Sequence, residues 1–210
     1  MPDCQRSSSR VRLWVMDGGQ SNERQRIALF GGSFDPVHLG HIGMAESARA
    51  ATGMDAVVFL PCFVSPFKEG THATADQRAE MLAIALEETG SNWAELSRYE
   101  IARREPSYSW QTAAHYSETV PDVDWHWIVG TDQWDQIERW AEPEKLRELL
   151  HFIVMTRDGS DVLVRDGWRY TPVQFSHPAS STGIRTDLDG HADWLTPGVR
   201  DYCCEHDLYQ

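Results

Sequence analysis

The segment Ile27-Ala28-Leu29-Phe30-Gly31-Gly32-Ser33-Phe34-Asp35-Pro36-Val37-His38-Leu39-Gly40-His41 joins an apolar run to a glycine pair and then to two histidines. An uninterrupted run such as Ile27 to Phe30 is what a strand buried on both faces requires. Paired glycines let the backbone turn tightly and approach a ligand with its N–H groups exposed. The alanine-rich stretch that follows stops at Gly53, which predicts a helix over 39–52 with its positive end facing the same point. Such a junction suits a phosphate group.

Outward from this segment the alternation repeats. Val57-Val58-Phe59-Leu60 is a second buried strand stopped by Pro61, followed by a loop to Thr74. The spacing of Ala79, Leu82 and Leu86 predicts a helix over 76–88 with Gly90 as its stop. A short strand over 96–99, a helix over 107–117, a strand at 127–129, a helix after Asp132, and strands at 152–155 and 173–175 complete the pattern. The expected fold class is α/β: a Rossmann-like, doubly wound parallel sheet with helices on both faces and a small C-terminal helical part. In such sheets ligands bind beyond the carboxyl ends of the strands. Residues 1–25, polar and rich in Ser and Arg, are expected to be a flexible extension, with Met16 a second candidate for the start, and 26–210 a single domain.

The chain has 210 residues, with 19 Lys and Arg against 32 Asp and Glu, a formal charge of −13. That balance argues against a nucleic acid or an anionic membrane as partner, since both demand a surplus of cations. The apolar stretch after Arg12 is too short for a signal peptide, and no run reaches the ~18 residues of a membrane span. Cys4, Cys62, Cys203 and Cys204 form neither a C-x-x-C pair nor a disulfide framework, so reduced thiols and a cytoplasmic location are expected. Nothing in the residues decides between a monomer and a homo-oligomer.

His38 and His41 lie on one face of the first turn of the predicted helix, where imidazoles can donate hydrogen bonds to phosphoryl oxygens. Gly40 between them keeps that surface low. Half a metal site is the competing reading, but no carboxylate or cysteine stands nearby in sequence to complete one, so no metal ligand is assigned. The loop is neither G-x-G-x-x-G nor a Walker loop, which disfavours dinucleotide oxidoreductases and P-loop enzymes. Ser180-Ser181-Thr182 precede a predicted helix start with Arg185 one turn in, a second set of phosphate donors or a simple N-cap.

Gly31 to His41 resembles the H-x-G-H signature of the nucleotidylyltransferase superfamily. Pro106-Ser107-Tyr108-Ser109, Trp127-Ile128-Val129-Gly130-Thr131-Asp132, Trp140 and Ser180-Ser181-Thr182-Gly183-Ile184-Arg185 are similar in order and spacing to the bacterial nicotinate mononucleotide adenylyltransferases. The resemblance implies transfer of AMP from ATP, with Mg²⁺, to the 5′-phosphate of nicotinate mononucleotide by direct attack on the α-phosphorus. It implies His38 and His41 as catalytic residues and Asp35 as an orienting acid. Gly31, Gly32, Ser33, Phe34, Lys68, Gly130, Asp132, Ser181, Thr182 and Arg185 would meet ATP and its phosphates. Ser109 and Trp140 would meet the mononucleotide, Trp140 by stacking on the pyridine ring. The position after Trp140, often aromatic in the family, is Ala141 here, on the side that separates acid from amide substrates. A nicotinamide mononucleotide or dual-specificity enzyme is the alternative, and a nucleotide-sensing module without catalysis the alternative from another class.

Overall fold

The computed structural model describes residues 24–67, 70–157 and 161–209. The expected extension thus falls, up to residue 23, outside the described residues. In chain order the elements are β1 (Gln25–Gly32), α1 (Leu39–Thr52), β2 (Ala56–Pro61), α2 (Ala75–Glu88), β3 (Ala94–Leu96), α3 (Tyr99–Arg103) and α4 (Ser109–Thr119). Then come β4 (Val123–Gly130), α5 (Thr131–Trp134), α6 (Pro143–Leu149), β5 (His151–Thr156), β6 (Tyr170–Gln174), α7 (Ser181–Thr186) and α8 (Pro197–Glu205).

The six strands form one parallel sheet in the order β3-β2-β1-β4-β5-β6. Successive side chains of β1 go to opposite faces: Ile27 and Leu29 join one apolar cluster, Ala28 and Phe30 the other. The first cluster is completed by Ala113 and Tyr116 of α4 and Leu146 of α6, the second by Ile42 of α1, Leu82 of α2 and Cys203 of α8. Each buried Leu, Ile or Phe contributes about 1.5–3 kcal/mol, so a strand with apolar residues on both faces is the natural centre of the sheet. Chain order reverses between β1 and β4, which opens a crevice at their carboxyl ends. That crevice lies beside Gly32 and Gly130.

Local signals set the element ends. Gly53 closes α1 in the left-handed conformation, φ 67°, its N–H bonded to the Arg49 carbonyl. Thr74 caps α2 through a capping box with Gln77.

Three expectations are corrected. Gly31 and Gly32 are the last residues of β1, not a turn: a Cβ on Gly31 would lie 2.9 Å from the Trp127 ring and one on Gly32 2.9 Å from the Phe34 ring, so here glycine supplies room. The strand expected over 96–99 is Ala94–Leu96, and Tyr99 opens α3. The helix expected after Asp132 is one turn, α5, followed by a 3₁₀ turn over Ile137–Arg139 and then α6. Pro143 fits only the first turn of a helix, and Glu142 before it is left-handed at φ 52°, so α6 starts afresh. Trp140 is thereby left in extended backbone between the two.

Candidate active site

Two lobes of one cleft occupy the crevice. The first, about 440 Å³, runs from the β1 loop (Gly31, Gly32, Ser33, Phe34, Asp35) to an aromatic end formed by Phe67 and Trp140, with Ser109 beside it. The second, about 430 Å³, is lined by His38, Gly40, Arg157, Phe175 and His177. His41, Met44, Gly130, Asp132 and Ser181 border both lobes, so the lobes meet at these five residues. Thr182 and Arg185 line the first.

The structure therefore gathers the expected residues around one cleft, Lys68 excepted, which lies outside the described residues. Phe34 is also a core side chain, edge-on to Phe30 at 5.5 Å and to the His41 ring at 5.1 Å. Asp132 is not the helix cap: Gly130 holds that position, and the exposed Asp132 carboxylate is free to meet a ligand.

His38 and His41 stack, ring centroids 3.7 Å apart at 24°. The His38 backbone N–H donates to His41 Nδ1 at 3.3 Å, so a neutral His41 carries its proton on Nε2. Gly40 is the residue that allows this: a Cβ there would sit 3.0 Å from His38 Nδ1 and 3.1 Å from His177 Nδ1. Burial, and then the charge of His177, pushes the His38 pKa down to about 4. His38 is thus neutral at pH 7, and its buried Nδ1 has no hydrogen-bond partner among the described residues. An unpaired buried nitrogen is costly unless a ligand satisfies it.

Asp35 has a different part from a free acid. Its carboxylate accepts from the His72 and Ala73 N–H groups at 2.8 and 3.0 Å and from the Tyr209 hydroxyl at 2.7 Å. Burial alone would raise its pKa, but the hydrogen bonds and Arg185 outweigh it and hold the carboxyl below the usual range. Its carbonyl accepts from Arg185 Nη1 at 2.7 Å, and the Pro36 carbonyl accepts from Ser181 Oγ at 2.9 Å. Ser180 caps α7 by accepting from the Gly183 N–H. The Ser180–Arg185 segment is in this way bolted to the β1 loop across about 145 residues of sequence.

Sequence reasoning missed Arg78, Phe67, His177 and Tyr209. Arg78 is fully buried, and its guanidinium donates to the carbonyls of Ser33, Cys62, Phe63 and Ala73. One cation thus fastens the loops after β1 and β2 beneath the cleft. Its position, four residues before Leu82 on the apolar face of α2, was the available signal. For Phe67, whose ring lies 6.0 Å from Trp140, an exposed aromatic in a loop was the hint. His177 and Tyr209 carried none.

The chain is similar to proteins of a known family. The family description "Cytidylyltransferase-like" matches residues 29–187, and the chain belongs to that family. A Listeria monocytogenes protein with the name "Probable nicotinate-nucleotide adenylyltransferase" is 30% identical over 190 residues, 89% of this chain and 98% of its own length. A protein of the same name from Rubrobacter xylanophilus is 32% identical over 88% of this chain and 92% of its own length. Within the cytidylyltransferase-like proteins the chain is therefore a member of the nicotinate-nucleotide adenylyltransferase family. The fold is also that of Plasmodium falciparum nicotinic acid mononucleotide adenylyltransferase solved with NaAD, with a TM-score of 0.74 at 18% identity over 89% of this chain and 98% of that one. Among the described residues no helix is long and apolar enough to cross a membrane.

Two outcomes follow from the buried Arg78 and His38. Arg78→Met leaves four carbonyls without their donor and is expected to cost about 3 kcal/mol in urea unfolding, with Arg78→Lys recovering part of it. A full-stability Met variant would show that the clamp is dispensable. For His38 the folded pKa of about 4 lies below the unfolded value of 6.5, so the unfolded chain takes up the proton first. Its contribution is whole above pH 6.5 and is lost as the pH falls towards 4, up to about 3 kcal/mol. The buried His126 and the half-buried His151 act in the same direction, so the measurement is the difference between wild type and His38→Asn. The variant should lose less unfolding free energy between pH 7 and 4.5, and equal slopes would contradict the assignment.

Proposed function

We propose that the chain transfers AMP from ATP to the 5′-phosphate of nicotinate mononucleotide, giving nicotinate adenine dinucleotide and pyrophosphate. The observation that carries this is the two-lobed cleft whose halves meet at His41, Asp132 and Ser181. A reaction that joins two nucleotides needs two such chambers, with the reacting phosphates where they touch. The aromatic end of the first lobe suits the mononucleotide: its pyridinium ring is planar and cationic, and Trp140 and Phe67 offer π faces. Ser109 would meet the substituent on that ring. The second lobe, with Phe175, His177 and Arg157, suits the adenosine of ATP, and Asp132 at the shared border its ribose.

The nucleophile is a phosphate oxygen already ionised near pH 7, so no general base is required. It attacks the α-phosphorus in line, the bond to the β-phosphate oxygen breaks, and pyrophosphate leaves. The protein's work is to position and to neutralise charge. His41 Nε2–H would donate to the α-phosphoryl oxygens, and the unpaired His38 Nδ1 supplies a second polar contact at that wall. Gly31 to Phe34 let the phosphates approach the backbone. Ser181, Thr182 and Arg185 would hold the β- and γ-phosphates; Thr182 Oγ1 already accepts from Arg185 Nη2 at 3.1 Å, so the pair is set in advance. Lys68 is proposed as a further phosphate contact.

Mg²⁺ would enter as part of the ATP substrate, held by the phosphate oxygens, while the Asp35 carboxylate, with three donors on it, orients its loop. When bound it neutralises charge on the polyphosphate. We read residues 26–210 as one catalytic domain working in the cytoplasm.

Pyrophosphate release from Mg-ATP should occur with nicotinate mononucleotide and be slower with nicotinamide mononucleotide. Phosphopantetheine should give none, and no turnover with either pyridine nucleotide would refute the reading in favour of a sensor. His41→Ala should lower kcat by about 10²–10³-fold with the fold intact, the scale of one lost oxyanion donor. Trp140→Ala should raise KM for the mononucleotide by about tenfold or more, the equivalent of about 1–3 kcal/mol of stacking. An unchanged KM would make Trp140 a packing residue only.

A further inference from the structure

The geometry points to Tyr209, the next-to-last residue of the sequence, as a positioning residue for the transfer: acting through Asp35, its hydroxyl holds the loop between Ser33 and His38 in the shape that meets the phosphates. This rests on the functional reading above. Tyr209 lines neither lobe, so it touches no substrate and acts only through its partner.

The chain goes to some cost to place this side chain. After α8 the backbone turns through two left-handed non-glycine residues, Asp207 at φ 51° and Tyr209 at φ 62°. Each such residue is disfavoured by about 1 kcal/mol or more, and it persists only where surrounding contacts hold it. The contacts are the burial of Leu208 and Tyr209 against the second apolar cluster, a bond from the Leu208 N–H to the Cys203 carbonyl at 2.9 Å, and the 2.7 Å bond from the Tyr209 hydroxyl to Asp35 Oδ1. That last bond spans 174 residues of sequence and is buried.

What it holds is the most constrained part of the cleft. Phe34, next to Asp35, is itself left-handed at φ 50°. The Asp35 carbonyl receives Arg185 and the Pro36 carbonyl receives Ser181, so both phosphate-facing groups of α7 take their aim from the peptides on either side of Pro36. His38 follows two residues later. Without the phenol, Asp35 Oδ1 keeps only the Ala73 N–H, and a carboxylate that loses one of three donors can rotate and carry its peptide with it. Positional errors of that kind are felt in the chemical step more than in binding, because the base and pyridine contacts lie elsewhere.

The test is Tyr209→Phe, which removes one oxygen and keeps the ring in the core. Its kcat for pyrophosphate release should fall about tenfold, while KM for each nucleotide changes less than about threefold. Combined with Asp35→Ala, which leaves the phenol no acceptor, the double variant should be no slower than Asp35→Ala alone, since the tyrosine acts through that carboxylate. Amide hydrogen exchange over residues 34–41 of the ligand-free protein should be faster in Tyr209→Phe. An unchanged kcat, independent multiplicative effects of the two substitutions, or a lowered Tm with full kcat would each overturn the proposal. If the wild type released no pyrophosphate at all, the functional reading would fall on its own. The exchange measurement would then decide whether the hydroxyl orders the loop, and unchanged exchange would dispose of the inference too.

Discussion

The buried carboxylate of Asp35 is the constraint on which the site depends. It gathers donors from the loop before α2 and from Tyr209 in the segment after α8, while its own carbonyl receives Arg185 from α7. A buried charge is tolerated only when hydrogen bonds replace the water it lost, and here three donors do so. The same requirement fixes the geometry: the donors cannot be satisfied unless those segments stand in one arrangement. Arg78 does the complementary work as a cation satisfied by carbonyls, so the β1 loop is held by a cation at Ser33 and through its own anion at Asp35.

The paired histidines sit on this frame with unequal characters. His38 is kept neutral by burial and by its neighbour His177, and its Nδ1 is left unpaired. Two charged imidazoles stacked at 3.7 Å would repel, so the neutral state of one permits a donor role for the other. The net charge of −13 does not oppose this. Acidic side chains such as Asp76 and Glu80 stand on the surface paired with Arg98, where screening confines their influence to about 8–10 Å. Glu100, which lines the first lobe, is pushed up by burial and so towards its uncharged form. An acidic protein can in this way present a cleft suited to polyphosphates.

Much of the fold was legible because its signals are local. The runs at β1, β2, β4 and β5 are apolar without alternation, as strands covered on both sides must be, and α1 ends at the glycine that announces it. α3 was not legible: five residues between a three-residue strand and a left-handed Arg104 are too few to show a period. The division of the segment after Asp132 turned on Pro143, which marks a first turn as readily as a break. Of the site, His38, His41 and the glycines were readable as one contiguous motif; Arg78 was missed, although a charge on the apolar face of α2 marked it. Tyr209 and His177 were not, since nothing in a residue's own neighbourhood indicates a partner more than a hundred positions away.

The sequence by itself determined the order of strands and helices, the parallel sheet, and the demand that chemistry collect at the strands' carboxyl ends, because burial and backbone hydrogen bonding act through periodicities of two and 3.6 residues. Tertiary structure alone decided that β1 and β4 would be neighbours at the point of reversal, that Trp140 would lie in an extended link facing the cleft, and that the phenol of Tyr209 would reach Asp35. Those outcomes depend on where separate elements come to rest against a shared core, and a hydrogen bond across 174 residues exists only once they have done so.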